Sequence, residues 1–257
     1  MIFYFTGTGN SLYIAKSMDE NIASIPQELK KETLSYKDES IGIVCPIYGH
    51  EMPAMVKEFI RRAEFNTDYL YMIMTYGANH GGAAEIAKKV FDATGKKASY
   101  INTIMMVDNF LPNFDMNDQM KQDKKIESQL TRIRKDIDAK KPGTQKTDVK
   151  NKMVHKMYVS FTGGQPETMW AKYRITDDCI GCAICAKVCP AGCIRIENQK
   201  AVNTGTNCQA CYACIHACPQ KAIQFDLGQP EKNPRARYRN ENVQLKEIIA
   251  ANNQTEY

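Results

Sequence analysis

The cysteines carry the most specific chemistry in this chain. Nine of the ten lie between Cys179 and Cys218, and the tenth is Cys45. Eight of them form two runs of one pattern, Cys179-x-x-Cys182-x-x-Cys185-x-x-x-Cys189-Pro190 and Cys208-x-x-Cys211-x-x-Cys214-x-x-x-Cys218-Pro219. The second run follows the first by 29 residues, and Cys189-Pro-x-x-x-Ile194 recurs as Cys218-Pro-x-x-x-Ile223. Such a duplicated unit stacks its halves to share one core. Thiolates spaced in this way on a curling loop can each reach one iron of a cubane. The last cysteine of each run follows at a helical turn where proline fixes the backbone. Zinc sites use four ligands in two pairs, which leaves the third cysteine, the fourth and the proline without a purpose. A c-type haem needs Cys-x-x-Cys-His, whereas Ala186 follows Cys185 and Ile215 follows Cys214.

Residues 172–226 resemble a bacterial-type ferredoxin carrying two 4Fe-4S clusters. In that family the fourth cysteine of each run ligates the other cluster. The resemblance therefore implies one cluster on Cys179, Cys182, Cys185 and Cys218, and a second on Cys208, Cys211, Cys214 and Cys189. Cys193 departs from the repeat, because it aligns with Ala222, and reads as a small buried hydrophobe. Cys45, at a strand end beside Pro46, is read as core.

A second constellation sits near the N-terminus. Thr6-Gly7-Thr8-Gly9-Asn10-Ser11 follows the apolar run Ile2–Phe5 and precedes helical spacing over Leu12–Met18. Glycines let the backbone approach an anion, hydroxyls donate to it, and the helix N-terminus adds free N–H groups and positive dipole. The loop has no Lys or Arg, so it suits a phosphate monoester held by hydrogen bonds. It lacks the Gly-Lys-Ser/Thr of a P-loop, and Leu12 interrupts a G-x-G-x-x-G pattern.

The chain must hold this loop at the end of a sheet. Ile41–Cys45, Tyr69–Met74 and Ser99–Val107 read as further strands, and Pro53–Ala63 and Ala83–Phe91 as helices. Alternation of this kind predicts a parallel sheet covered on both faces, with ligands beyond the carboxyl ends of its strands. Two more loops leave those ends, Pro46-Ile47-Tyr48-Gly49-His50 and Thr75-Tyr76-Gly77-Ala78-Asn79-His80-Gly81-Gly82. An aromatic beside a glycine in each suits a flat ring held between them.

Residues 1–110 resemble a flavodoxin, whose first loop reads Thr/Ser-x-Thr-Gly-x-Thr/Ser around the FMN phosphate. Thr6, Thr8, Gly9 and Ser11 match that pattern. The resemblance implies an α/β doubly wound parallel sheet of order 2-1-3-4-5, with Tyr48–Gly49 and Tyr76–Gly77 in the loops flanking the isoalloxazine. Flavodoxins often carry acidic residues near the ring, where these loops carry His50 and His80. Both histidines read as loop hydrogen-bonders, and His50 is the candidate proton donor near the flavin.

The order of the two modules resembles a flavodoxin–ferredoxin fusion family of anaerobes, as do Val107–Phe114, Arg235–Arg239 and Ile248–Asn253. The expected layout is 1–145 for the FMN domain and its last helix, 146–171 for a connector, 172–228 for a small α+β dicluster domain, and 229–257 for a tail with a helix. Ile126, Leu130, Ile133 and Ile137 recur at helical spacing, ending at Lys140-Lys141-Pro142-Gly143. From Lys121 to Lys156 there are 12 Lys/Arg against 5 Asp/Glu. This run lacks aromatic interleaving and a binding motif, so it reads as a solvated face and not a nucleic-acid patch.

The chain has 257 residues, 43% hydrophobic and 25% charged, which is ordinary globular composition. It shows no apolar run of membrane-spanning length and no signal pattern at its start, so a cytoplasmic location is the expectation. Its formal charge of +5 falls to about −1 once two clusters and FMN are counted. The expected partners are a redox protein or a small-molecule acceptor, and homodimerisation stays open. The function these cofactors imply is electron movement between a low-potential donor, two clusters and FMN. A reductase would aim polar groups over the flavin, where Asn109, His50 and His80 are the hints. A dedicated carrier and a redox or iron sensor are the alternatives.

Overall fold

A computed structural model describes residues 1–163, 172–205, 207–226, 228 and 230–255. The last part of the expected connector, 164–171, lies outside the described residues.

The first strands and helices run β1 (Ile2–Tyr4), α1 (Asn10–Met18), β2 (Ile22–Ser24), α2 (Ile25–Glu28), β3 (Ser35–Lys37), β4 (Ser40–Pro46) and α3 (Ala54–Arg62). Then come β5 (Glu64–Asn66), β6 (Tyr69–Tyr76), α4 (Ala83–Ala93), β7 (Tyr100–Met105), α5 (Met116–Met120), α6 (Ile126–Asp138), β8 (Gly143–Thr144) and α7 (Val149–Thr162). A six-stranded sheet takes the order β2-β1-β4-β6-β7-β8, and every pair in it is parallel. It holds one strand more than the five that the flavodoxin resemblance implies, because Gly143 and Thr144 pair with Tyr100 and Ile101 at the edge.

Burial on both faces explains why the strands read as continuous apolar runs. In β4, Ile41, Ile43, Val44 and Cys45 are fully buried. Gly42 is opposite Tyr71, and a Cβ at that position would collide with the Tyr71 ring. Helix α3 turns Val56, Phe59 and Ile60 inward, and α6 does the same with Leu130 and Ile133. The chain reverses direction across the sheet between β1 and β4, which is where a parallel sheet opens a crevice beyond its strand ends.

The C-terminal part is a small ferredoxin-like unit of β9 (Tyr173–Ile175), α8 (Ile184–Lys187), β10 (Ile194–Glu197), β11 (Lys200–Asn203), α9 (Ala213–Ala217) and β12 (Ile223–Phe225). Antiparallel ribbons β10–β11 and β12–β9 frame it. Its core also takes Leu111 and Met116 from the segment after β7, and Ala236 and Tyr238 from the tail. Helix α10 (Leu245–Asn252) returns to the first sheet, where Ile248 and Ala251 join the large core. No helix among the described residues is long and apolar enough to cross a membrane.

Candidate functional site

Three loops leave the carboxyl ends of β1, β4 and β6 and meet around a cavity of about 470 Å³. The first loop runs into α1, whose N-terminal end no side chain among the described residues caps. Its orphan N–H groups are therefore free to bind an anion. Gly9 takes φ 100° there, a left-handed conformation that favours glycine. The hydroxyls are fixed by their neighbours. Gly9 N donates to Thr6 Oγ1 at 3.1 Å, Ser11 Oγ lies 2.9 Å from Thr75 Oγ1, and Asn109 Nδ2 donates to Thr8 Oγ1 at 3.0 Å.

Thr6, Gly7, Thr8, Asn10, Ser11, Pro46, Ile47, Tyr48, Gly49, Thr75, Tyr76, Gly77 and Asn79 all line this cavity. Gly9, Gly81 and Gly82 do not line it. Gly9 faces Asn240 and Val243 of the tail, while Gly81 lies under the His50 ring and Gly82 against Thr147. Their part is to let the loops pack closely behind the wall.

His50 lines the cavity, with its Nδ1 3.3 Å from His155 Nδ1 on α7. Burial, followed by the charges of His155 and His80, lowers its pKa to about 4. The ring is thus neutral near pH 7 and offers an N–H, not an imidazolium proton. His80 accepts from Gly82 N and meets the Tyr76 ring edge-on. Cys45 is fully buried in β4, as core.

The segment after β7 makes a fourth wall, of which sequence reasoning named Asn109 and missed Asp108. Asp108 lines the cavity and accepts from Ala78 N at 2.9 Å and Phe110 N at 3.0 Å. Burial raises its pKa, and those two bonds oppose the shift. A Cβ on Gly77 would overlap the Asp108 side chain, so glycine permits this contact. The signal available was an acidic residue just past the end of an apolar strand. Tyr158 and Phe161 of α7, and Ala210 and Tyr212 of the cysteine domain, also line the cavity. They come from distant segments, and no local pattern announced them.

The cysteines gather in two smaller cavities. One is lined by Cys179, Cys182, Cys185 and Cys218. The other is lined by Cys189, Cys208, Cys211 and Cys214. The fourth cysteine of each run thus sits with the first three of the other run. Backbone N–H groups point at sulfur, from Ala201 to Cys179, Ala222 to Cys218 and Cys193 to Cys189, at 3.2–3.3 Å. Such bonds favour thiolates, as iron ligation requires. Burial pushes the Cys185 and Cys211 thiols up to about 12, so a cationic centre is what would hold them as thiolates. Cys193 is buried and lines neither cavity.

The second cysteine set adjoins the large cavity directly. Beside Gly7, the place a Cβ would take is 2.5 Å from the Cys211 carbonyl oxygen. His216 clamps the same junction, with Nδ1 accepting from Tyr238 N at 3.0 Å and Nε2 2.9 Å from Asn109 O. Because Nδ1 accepts, Nε2 carries the proton and donates. Burial lowers the His216 pKa to about 4. From the tail, Asn252 donates to Thr6 O at 2.9 Å and Val188 O at 3.2 Å, and Tyr238 Oη donates to Asn10 Oδ1 at 2.5 Å.

Residues 178–223 match the family described as 4Fe-4S dicluster domain. Over 47 residues the chain is 52% identical to a component of the ion-translocating oxidoreductase complex of Methanosarcina acetivorans, covering 18% of each protein. It is 32% identical to a component of the NADH-quinone oxidoreductase of Pelobacter propionicus, covering 20% of this chain and 35% of that protein. It is 35% identical to the putative electron transport protein YsaA of Escherichia coli, covering 18% and 33%. The chain thus spans about a fifth to a third of the length of these curated relatives. Among solved structures, the Trp repressor binding protein from Bacillus subtilis aligns with 51% of the chain at 13% identity and a TM-score of 0.32, too low to carry an argument. The cysteine-bearing segment of this chain is a 4Fe-4S cluster-binding domain similar to those of electron-transport proteins.

Proposed function

We propose that this chain is an iron–sulfur flavoprotein that moves electrons between an external low-potential donor, two 4Fe-4S clusters and FMN, and from there to a small-molecule or protein acceptor. FMN exchanges one or two electrons and each cluster one, so a chain holding both can convert single electrons into pairs. One observation carries the reading: the cavity at the sheet end and the cavity of Cys189, Cys208, Cys211 and Cys214 share a wall, to which Ala210 and Tyr212 both contribute. In this flavodoxin-like reading, Thr6, Thr8, Asn10 and Ser11 would take the phosphate at the uncapped start of α1. Tyr48 and Tyr76 would bracket the ring, and Asp108 would hold the loop of Gly77 and Ala78 at its edge. The two cysteine sets would each hold one cluster, which ties the halves of the domain together.

The relatives named for electron transport and oxidoreductase complexes support redox protein partners for this chain. An acceptor small enough to reach the flavin would enter past Tyr158 and Phe161, which stand at the cavity. The test is the iron, sulfide and flavin content of anaerobically purified protein. The reading expects about eight iron, eight sulfide and one FMN per chain. Full iron with no flavin after addition of FMN would overturn the flavin half, and about four iron would overturn the second cluster.

A further inference from the structure

Among the described residues, Tyr48 Oη is a buried polar atom with no hydrogen-bond partner. Its backbone is fixed by reciprocal hydrogen bonds with Glu51, at 2.8 and 3.0 Å, and its ring meets Phe5 edge-on at 6.4 Å. The ring is therefore held in one direction, and the hydroxyl at its tip is buried without a hydrogen bond. An unpaired buried hydroxyl is costly, so an acceptor is expected beside it.

The hydroxyl lies beside the cysteine loop. The point beside Gly7 where a Cβ would stand is 3.0 Å from Tyr48 Oη and 3.3 Å from Cys211 Cβ. The hydroxyl thus reaches the seam between the first loop and the cysteine loop. The phenol remains a donor, and a sulfur-rich centre offers acceptors only. Around the other cysteine set, the cavity walls are mainly Ile180, Ala183, Ile196, Ala201, Ala222 and Ile223, which bring no hydroxyl.

We propose that Tyr48 Oη donates a hydrogen bond to the sulfur shell of the cluster held by Cys208, Cys211, Cys214 and Cys189, raising that cluster's potential above its value without the bond. This inference rests on the two-cluster flavoprotein reading. A reduced cluster carries one more negative charge than an oxidised one, so a donor to its sulfur stabilises the reduced form more. Tyr48 then acts as a positioning residue on the cluster that adjoins the flavin cavity, and cysteine ligation is untouched.

The experiment is an EPR-monitored redox titration of the full holoprotein and of Tyr48→Phe, with iron and FMN measured on both. Tyr48→Phe removes only the unpaired hydroxyl, so iron content should hold. One of the two cluster couples should fall about tenfold in its reduction equilibrium, which is about 59 mV for one electron, while the other stays. Tyr76→Phe, in the facing loop, should move neither. If wild-type protein shows two cluster couples and Tyr48→Phe shifts neither, this inference fails and the flavoprotein reading stands. A variant that binds FMN more weakly with both cluster couples unmoved assigns the hydroxyl to the flavin side, and also overturns it. Wild-type protein without two couples would remove both readings together.

Discussion

Gly7→Ala tests the junction on which the proposed electron passage between the two halves depends. The new Cβ would stand 2.5 Å from the Cys211 carbonyl oxygen, 3.0 Å from Tyr48 Oη and 3.3 Å from Cys211 Cβ. The first neighbour is backbone, belonging to a residue whose side chain lines a cysteine cavity, so it has little freedom to move aside. Forcing a methyl group into such a contact costs about 1–3 kcal/mol. If the strain is relieved by displacing the first loop, FMN affinity should fall by about 5- to 150-fold. Iron content should stay near the wild-type value, because the cysteines are not touched. Anaerobic fluorescence titration with FMN reads the affinity, and iron analysis reads the clusters. Wild-type FMN affinity in Gly7→Ala would refute the claim that the first loop and the cysteine loop are in fixed contact.

Pairs of cysteine substitutions separate crossed from sequential ligation. Cys179→Ser with Cys218→Ser should leave about four iron, and Cys179→Ser with Cys189→Ser should damage both clusters; iron analysis of the reconstituted proteins would show the reverse ranking for sequential ligation. The His216 pKa in the folded chain, about 4, lies below its ordinary value of about 6.5. The folded protein therefore binds fewer protons than the unfolded chain between these values, so stability is full above pH 6.5 and declines as pH falls towards 4. The loss attributable to His216 is at most about 3 kcal/mol, and urea unfolding of His216→Gln should show a flatter dependence between pH 7.5 and 5. Asn252→Ala leaves the carbonyls of Thr6 and Val188 without their donor, and should lower stability by about 1–3 kcal/mol in denaturant titration.

Much of the site was legible because its chemistry is local. The cysteine spacing fixes ligand type within two runs, and the Thr6–Ser11 loop sits between one apolar run and one helix. The run Ile41–Cys45 revealed β4 since both of its faces are buried. Strand β2 was missed because Ile22–Ser24 has three residues and takes its place from pairing with β1. Helix α7 escaped notice for a different reason: its buried positions include polar Asn151 and Thr162, while Val149, Met153, Met157 and Phe161 are exposed. Asp108, Tyr158, Ala210 and Tyr212 reach the cavity only once three separate segments have docked. Tertiary contact, not residue pattern, selects them.

The central claim is that electrons pass between the clusters and the flavin inside one chain. Anaerobic stopped-flow mixing of loaded protein with a substoichiometric low-potential reductant reads it directly, by cluster and flavin absorbance. The account predicts that flavin bleaching follows cluster bleaching at a rate independent of protein concentration. A flavin rate that rises in proportion to protein concentration, or clusters that reduce while the flavin stays oxidised, would contradict it.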